Sequence, residues 1–208
     1  MQEMNDGPTA TAGDALIVVD VQNDFCPGGA LPVPEGDTVV PVLNQYLARA
    51  AAAGMPIFAS RDWHPTVTTH FAAFGGLWPP HCIQGTFGAE FHRDLRLPPG
   101  TQICSKGTSA IDDGYSMLDA RLPDGSEMLD ALRSLGIKRL HVGGLATDYC
   151  VRATVLDGLR DAFDVSVLED ASRPVDVAKG DGERAMREML AAGAHSETLA
   201  DFAPVSQS

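Results

Sequence analysis

The sequence has little positive charge and no segment typical of a membrane span or an export signal. Its 15 lysine and arginine residues are outnumbered by 28 acidic ones, which gives a net charge of -13, and no basic run occurs. Phosphate binding requires clustered basic side chains, so we expect no nucleic-acid partner. The longest apolar runs, such as Ala15–Val19, are far shorter than the roughly 20 residues of a membrane helix. Since residues 1–13 also lack a basic segment followed by an apolar one, we expect a soluble, cytoplasmic protein without a membrane partner.

The sequence also lacks the cysteine spacing of a disulfide-rich domain or of a structural zinc site. It contains four cysteines and no CxxC pair: Cys26, Cys82, Cys104 and Cys150. In a chain of 208 residues with no export signal, we expect these thiols to be reduced. Each cysteine is therefore interpreted from the residues around it and not as half of a disulfide or part of a zinc motif.

Short apolar runs alternate with stretches of helical spacing along most of the chain. Strands are predicted at 15–20, 56–60, 101–105, 139–142, 165–169 and 195–199. Helices are predicted at 38–53, 126–135 with Ser126 as the N-cap, 148–160 and 179–192. This alternation predicts a three-layer α/β/α fold with a mostly parallel sheet of about six strands. We expect one domain over 14–203, with flexible ends at 1–13 and 204–208.

One long stretch, residues 61–100, interrupts the alternation. It is rich in proline, glycine and histidine, and it contains both tryptophans, Trp63 and Trp78. A loop of this length inside a compact domain is usually functional or disordered. Because aromatic and histidine side chains argue against disorder, we expect this stretch to be ordered and to contribute to a site.

Polar residues follow four of the predicted strands. Asp20 ends the first strand, Asp62 and His64 follow the second, Lys106 follows the third, and Cys150 follows the fourth. Ligand sites in parallel sheets lie at the carboxyl ends of the strands. We therefore expect these side chains to meet at one edge of the sheet.

Cys150 is the candidate nucleophile. It follows a glycine-rich turn and is predicted in the first turn of a helix, where the helix dipole and free N–H groups favour a thiolate and could hold an oxyanion. Asp20 could act as a general base, and Lys106 could pair with Asp20. Each residue also has a plainer interpretation, as a buried small side chain, a turn cap or a surface lysine. The other three cysteines lack this context and are interpreted as structural.

A candidate metal site combines one carboxylate with three imidazoles: Asp62, His64, His70 and His81. Asp62 and His64 occupy alternate positions of an extended segment and can point the same way, and this ligand set suits Zn, Fe or Mn. The spacing is not that of an HExxH motif, so scattered loop residues are the alternative. Phe25 and Trp78 lie beside these loops and could wall a flat apolar pocket, although either could instead pack in the core.

Together these motifs resemble those of the nicotinamidases, or pyrazinamidases, of the isochorismatase-like hydrolase superfamily. The resemblance extends from Ala15 to Leu199 and depends on five ordered blocks. The blocks are Val19–Leu31, Arg61–Pro65 with Thr69–Phe71, Trp78–Cys82 with Gly85 and Thr86, Ser105–Gly107 and Leu145–Val151. Five blocks in this order are far more specific than any one of them.

The resemblance implies a role for each residue of the catalytic group. Cys150 would be the nucleophile, Asp20 the proton acceptor and Lys106 the third member of a triad. The backbone N–H groups of Ala146 and Cys150 would hold the oxyanion, after a cis peptide bond between Leu145 and Ala146. The implied activity is hydrolysis of nicotinamide, and of pyrazinamide, through a thioester, as a step of NAD salvage.

The resemblance also implies a ligand set and a substrate pocket. One divalent ion, Zn, Fe or Mn, would be bound by Asp62, His64 and His81, with His70 a ligand directly or through water. Phe25 and Trp78 would flank the ring of a nicotinamide-like small molecule, whereas Tyr149 has no predicted role. Isochorismatases resemble this fold but lack the cysteine, and N-carbamoylsarcosine amidase-like proteins lack the metal ligands, so having both favours a nicotinamidase.

Three alternatives stay open at this point. The first is a related cysteine amidase for another small amide or ureido compound. The second is a non-catalytic binding protein that kept the fold, against which the intact triad argues. The third is a structural or interaction protein, which would need an exposed apolar stripe that the helices do not display. The sequence does not decide which metal is bound or whether the chain forms a homo-oligomer.

Overall fold

In the computed structural model, which describes residues 13–203, six strands form one sheet. The strands are β1 (Asp14–Val19), β2 (Ile57–Asp62), β3 (Gln102–Lys106), β4 (Arg139–Leu145), β5 (Asp164–Arg173) and β6 (His195–Glu197). Their order is β3-β2-β1-β4-β5-β6, and every neighbouring pair is parallel. All six predicted strands, including the last one, are therefore confirmed.

Helices cover both faces of the sheet. They are α1 (Val39–Ala52), α2 (Met128–Ser134), α3 (Arg152–Arg160) and α4 (Asp181–Ala191). Side chains alternate between the two faces of a strand, so Leu16 and Val18 of β1 pack with α1, whereas Ile17 and Val19 pack with α2, α3 and α4. Every residue of β1 is buried for this reason. The predicted three-layer α/β/α architecture is thus confirmed.

The start of α2 differs from the prediction. The helix begins at Met128, and Ser126 does not cap it. The Ser126 hydroxyl instead donates a hydrogen bond of 2.6 Å to Asp124 Oδ1, which also accepts from the Ser126 N–H. The prediction was wrong because this local turn competes for the serine side chain that a cap would need.

The start of α3 also differs. The segment Thr147–Val151 forms a π-helical turn, and the regular α-helix begins only at Arg152. In this turn the Val151 N–H donates to the Ala146 carbonyl, five residues back, at 3.1 Å. Cys150 therefore lies in a wide turn that precedes the α-helix, and not in the first turn of the α-helix itself.

The strand order places four carboxyl ends beside one another. β1 lies between β2 and β4. Strands β2 and β3 are added on one side of β1 and strands β4, β5 and β6 on the other. This reversal of strand order forms a crevice at the carboxyl edge of the sheet. The long stretch 61–100 is ordered, as predicted, and crosses this edge through the one-turn helices Ala72–Phe74 and Phe87–Ala89. The crevice and this stretch together enclose the candidate site.

The segments predicted to be flexible, 1–13 and 204–208, lie outside the described residues apart from Gly13. Between residues 13 and 203, no helix combines the length and the apolar character needed to cross a membrane.

Candidate active site

The three predicted catalytic side chains lie together at the carboxyl edge of the sheet. Asp20 directly follows β1, Lys106 is the last residue of β3, and Cys150 lies in the π-helical turn after β4. Lys106 Nζ is 2.7 Å from Asp20 Oδ2 and 3.4 Å from Cys150 Sγ. A carboxylate oxygen of Asp20 lies within 4.8 Å of the sulfur. Because Lys106 is only 1% exposed, it is a buried member of this group and not a surface lysine.

Lys106 also joins this group to the candidate metal site. Its Nζ contacts Asp62 Oδ1 and donates to the Gly114 carbonyl, and Asp62 is its register partner on β2. Burial opposes the charge of the ammonium group, but Asp20 and Asp62 outweigh this effect and hold the pKa of Lys106 well above its usual value. Lys106 is therefore a permanent cation between two carboxylates.

Asp20 has the properties of a proton acceptor. Burial raises the pKa of its carboxyl to about 6, against the opposing effect of Lys106. Oδ1 accepts a hydrogen bond from the Ser60 hydroxyl at 2.7 Å. Oδ2 is ion-paired with Lys106, but no donor among the described residues is aligned with it for a hydrogen bond. The carboxylate is thus ionised at neutral pH and retains a free acceptor position.

The surroundings of the Cys150 thiol oppose its ionisation. Burial raises its pKa well above the usual value, and the nearby Lys106 offsets this only in part. Desolvation of a side chain that is 7% exposed thus opposes the thiolate that a helix start would favour, and the nucleophilic role of Cys150 stays a prediction. Such a thiol requires a neighbouring base, and Asp20 is close enough to be that base.

Four predicted metal ligands converge beside this group. The ligand nitrogens of His64, His70 and His81 lie within 4.8 Å of one another. Asp62 Oδ2 is 3.6 Å from His64 Nε2 and 3.9 Å from His81 Nε2. Metal–ligand bonds of about 2.1 Å place neighbouring ligand atoms roughly 3 to 3.5 Å apart, so a small contraction would complete a coordination shell.

The outer contacts of the rings also fit a metal site. His64 Nδ1 faces the Gly107 carbonyl at 3.0 Å, and His81 Nδ1 faces the Pro79 carbonyl at 2.7 Å. Both rings therefore present Nε2 to the centre, and His64 Nε2 is buried without a hydrogen-bond partner in the described part of the chain. Burial lowers the pKa of His81 to about 4, which keeps its imidazole neutral. Two imidazoles anchored through their outer nitrogens, together with a carboxylate, fit a divalent ion such as Zn, Fe or Mn.

A largely apolar cavity leads to Cys150 and to these ligands. Its aromatic walls are Phe25, Trp78, Tyr115 and Tyr149, and Val175 and Ala146 also line it. Trp78 Nε1 donates to the Tyr115 hydroxyl at 3.0 Å, and the Trp78 ring packs against Tyr149 at 4.9 Å between centroids. The two predicted aromatics, Phe25 and Trp78, thus line one cavity, and aromatic side chains of this kind suit contact with a flat ring.

Some features of the site were predicted and others were missed. The Leu145–Ala146 peptide bond is cis, as the resemblance implied. Tyr115 and Asp113 also line the cavity, but the loop after β3 that carries them has no periodic pattern to indicate this. Ser60 had a usable signal, since it is the polar residue that ends the predicted strand 56–60, directly before the carboxyl edge of the sheet.

A six-stranded parallel sheet with helices on both faces and polar side chains at its carboxyl edge is the arrangement of an isochorismatase-like α/β hydrolase. Residues 14–201 match the Isochorismatase domain, and the chain belongs to that family. It is 40% identical over 204 residues to the nicotinamidase of Escherichia coli (strain K12), a match that covers 90% of this chain and 96% of that protein.

Solved structures agree with this family. The pyrazinamidase of Pyrococcus horikoshii, crystallised in complex with zinc, superimposes with a TM-score of 0.82 at 44% identity, covering 90% of this chain and 99% of that one. PnC1 from L. infantum, solved in complex with nicotinate, also has a TM-score of 0.82, at 31% identity, covering 96% of this chain and 99% of that one.

Proposed function

We propose that this chain is a metal-dependent amidase that hydrolyses nicotinamide, and also pyrazinamide, to the corresponding acid and ammonia. The observation that carries the proposal is the contact of Lys106 with both Cys150 and Asp20, where Cys150 also lines the aromatic cavity. The similarity to the nicotinamidase and pyrazinamidase named above supports the choice of substrate. The reaction would form nicotinate for NAD salvage.

The cavity would hold the ring, and the histidine group would hold the ion. Phe25 and Trp78 flank the heteroaromatic ring and direct the carboxamide towards Cys150. Asp62, His64 and His81 bind a divalent ion, with His70 as a further ligand. When bound, the ion supplies a positive charge that orients and polarises the substrate.

Acylation then uses residues of this chain in sequence. Asp20 accepts the thiol proton while the sulfur of Cys150 forms a bond to the amide carbon. The N–H groups of Ala146 and Cys150 donate to the oxyanion. Asp20 next gives its proton to the amide nitrogen, and the C–N bond breaks. Ammonia is released, and the acyl group stays on Cys150 as a thioester. Lys106 stabilises the negative charge that moves between sulfur and carboxylate.

Deacylation repeats the proton transfers with water. Asp20 takes a proton from a water molecule, and the water oxygen attacks the thioester carbon. The C–S bond breaks, the sulfur takes the proton from Asp20, and the acid leaves. Cys150 returns to the neutral thiol that its buried position favours.

The test is a substrate panel with purified, zinc-loaded protein. We expect ammonia and the matching acid from nicotinamide and from pyrazinamide, and little ammonia from acetamide, which lacks the ring that the cavity fits. Treatment with EDTA should abolish turnover, and added zinc should restore it. Hydrolysis of ureido compounds without hydrolysis of nicotinamide would reject this substrate and favour the related-amidase alternative.

A further inference from the structure

The third histidine of the metal group is anchored differently from the other two. His64 and His81 each face a backbone carbonyl with their outer nitrogen. His70 instead has Nδ1 at 3.5 Å from the Oδ1 atom of Asp113, a side-chain carboxylate from a separate loop. This contact bears directly on whether His70 binds the metal itself, because the partner of one ring nitrogen decides what the other can do.

The His70 ring is held in one orientation. It is 5% exposed, stacks on His64 with 4.5 Å between centroids, and meets the Tyr115 ring edge-on at 5.6 Å. With Nδ1 turned to Asp113, Nε2 is the nitrogen left for the cluster.

The loop on both sides of Asp113 has defined contacts. The next residue, Gly114, accepts a hydrogen bond from Lys106 through its carbonyl. The Gly114 N–H donates to the Asp112 carboxylate at 2.9 Å, which closes the turn. The loop that carries Asp113 is therefore attached to the same lysine that contacts Asp62 and Cys150.

We propose that Asp113 is a positioning residue that holds the proton of His70 on Nδ1, so that His70 binds the metal ion directly through Nε2. The inference rests on the metal site of the proposed function. A carboxylate that accepts the Nδ1–H of a histidine ligand fixes its tautomer and makes Nε2 a better donor to the metal. Because the Asp113 side chain is 66% exposed, water screens this contact and its contribution should be modest.

The test measures zinc affinity, since Asp113 also borders the cavity and its replacement can alter substrate binding. The zinc dissociation constant of metal-free protein is measured by competition with a chromogenic chelator. We expect Asp113→Ala to weaken binding by about tenfold, the lower end of the range for such partners. Asp113→Asn, which keeps a neutral acceptor, should weaken it less.

Two controls separate orientation from charge. Asp112→Asn removes the same charge from the neighbouring position and keeps the acceptor for Gly114, so it should change zinc affinity little. In a His70→Ala background, Asp113→Ala should have no further effect, because the ring that it orients is absent. Thermal unfolding of the metal-free variants checks that all of them fold.

The outcomes distinguish the two proposals. The inference is overturned if Asp113→Ala and Asp112→Asn weaken binding equally, or if Asp113→Ala acts as strongly without His70 as with it. In that case wild-type protein still binds zinc and the proposed function stands. Failure of the wild-type protein to bind zinc would overturn the metal site of the proposed function together with this inference.

Discussion

Replacing Lys106 with methionine is expected to destabilise the protein by about 3 to 5 kcal/mol, although the two side chains are similar in length. Lys106 is 1% exposed, and its ammonium group contacts the carboxylates of Asp20 and Asp62. Methionine would leave both carboxylates buried without a cation. Removing one partner of a buried ion pair is costly because the remaining charge has lost its compensation.

The size of the effect can be refined by a second substitution. Burial already raises the pKa of Asp20 to about 6, so protonation relieves part of the cost for that residue. Asp62 has no such relief at neutral pH, since Lys106 and His64 outweigh its burial and hold its pKa below the usual range. Adding Asp62→Asn to Lys106→Met should therefore recover part of the lost stability.

Urea unfolding of EDTA-treated protein measures this change. With a slope of about 2 kcal/mol per molar urea, a loss of this size lowers the midpoint by about 2 M. The matched control is Lys179→Met, because Lys179 is exposed and a surface change should stay within about 0.5 kcal/mol. If Lys106→Met unfolds at the same urea concentration as Lys179→Met, the buried charge network is not what the structure indicates.

Three further predictions concern pH and close packing. Because the carboxyl of Asp20 has a pKa of about 6 and must be ionised to take the thiol proton, kcat/KM should fall as the pH drops through about 6; an unchanged rate from pH 7 to 5 would contradict this. Burial disfavours the charge of His141, but the carboxylates of Asp14 in β1 and Glu197 in β6 outweigh this effect and raise the pKa of His141 above its usual value. Protonated His141 thus stabilises the fold fully at pH values below its pKa in the unfolded chain, and this contribution is lost as the pH rises through its pKa in the folded protein. Urea unfolding at several pH values should detect this fall in the free energy of unfolding with rising pH, and His141→Gln should remove it. Gly107→Ala should weaken zinc binding, because a Cβ at this position would lie 2.3 Å from Cε1 of His64, one of the proposed metal ligands. Gly125→Ala is the control: it also has a positive φ, but its Cβ would have no atom within 4 Å, so zinc binding should not change.

The order of strands and helices could be predicted because apolar runs and helical spacing are local properties of the sequence. The ends of the elements were less predictable. β4 was predicted to stop at Val142, yet it extends to Leu145, since pairing with β1 continues to Gly144. A glycine is required at this position, because a Cβ there would lie 2.1 Å from the Val19 carbonyl oxygen. Such a close approach between strands is not visible in a single sequence.

Some features of the candidate site could likewise be predicted from the sequence, and others could not. Asp20, Lys106 and Cys150 could be placed together because each follows a strand, and parallel strands end at a common edge. The effect of burial on the pKa of the thiol could not be predicted, since desolvation depends on distant segments that bury it. Asp113 was missed for a similar reason, because its contact with His70 joins two irregular loops. The catalytic roles themselves were implied by the resemblance and stay predictions.

The proposal that Cys150 is the nucleophile is tested most directly by mass spectrometry. The protein is mixed with nicotinamide, the reaction is stopped with acid within milliseconds, and the mass of the protein is measured. We predict a nicotinoyl group on the Cys150 peptide of the wild-type protein during turnover. Cys150→Ala should have neither the adduct nor ammonia release, while Cys104→Ala should have both. Continued release of ammonia by Cys150→Ala, with no adduct on the wild-type protein, would contradict the proposal that this cysteine is the nucleophile.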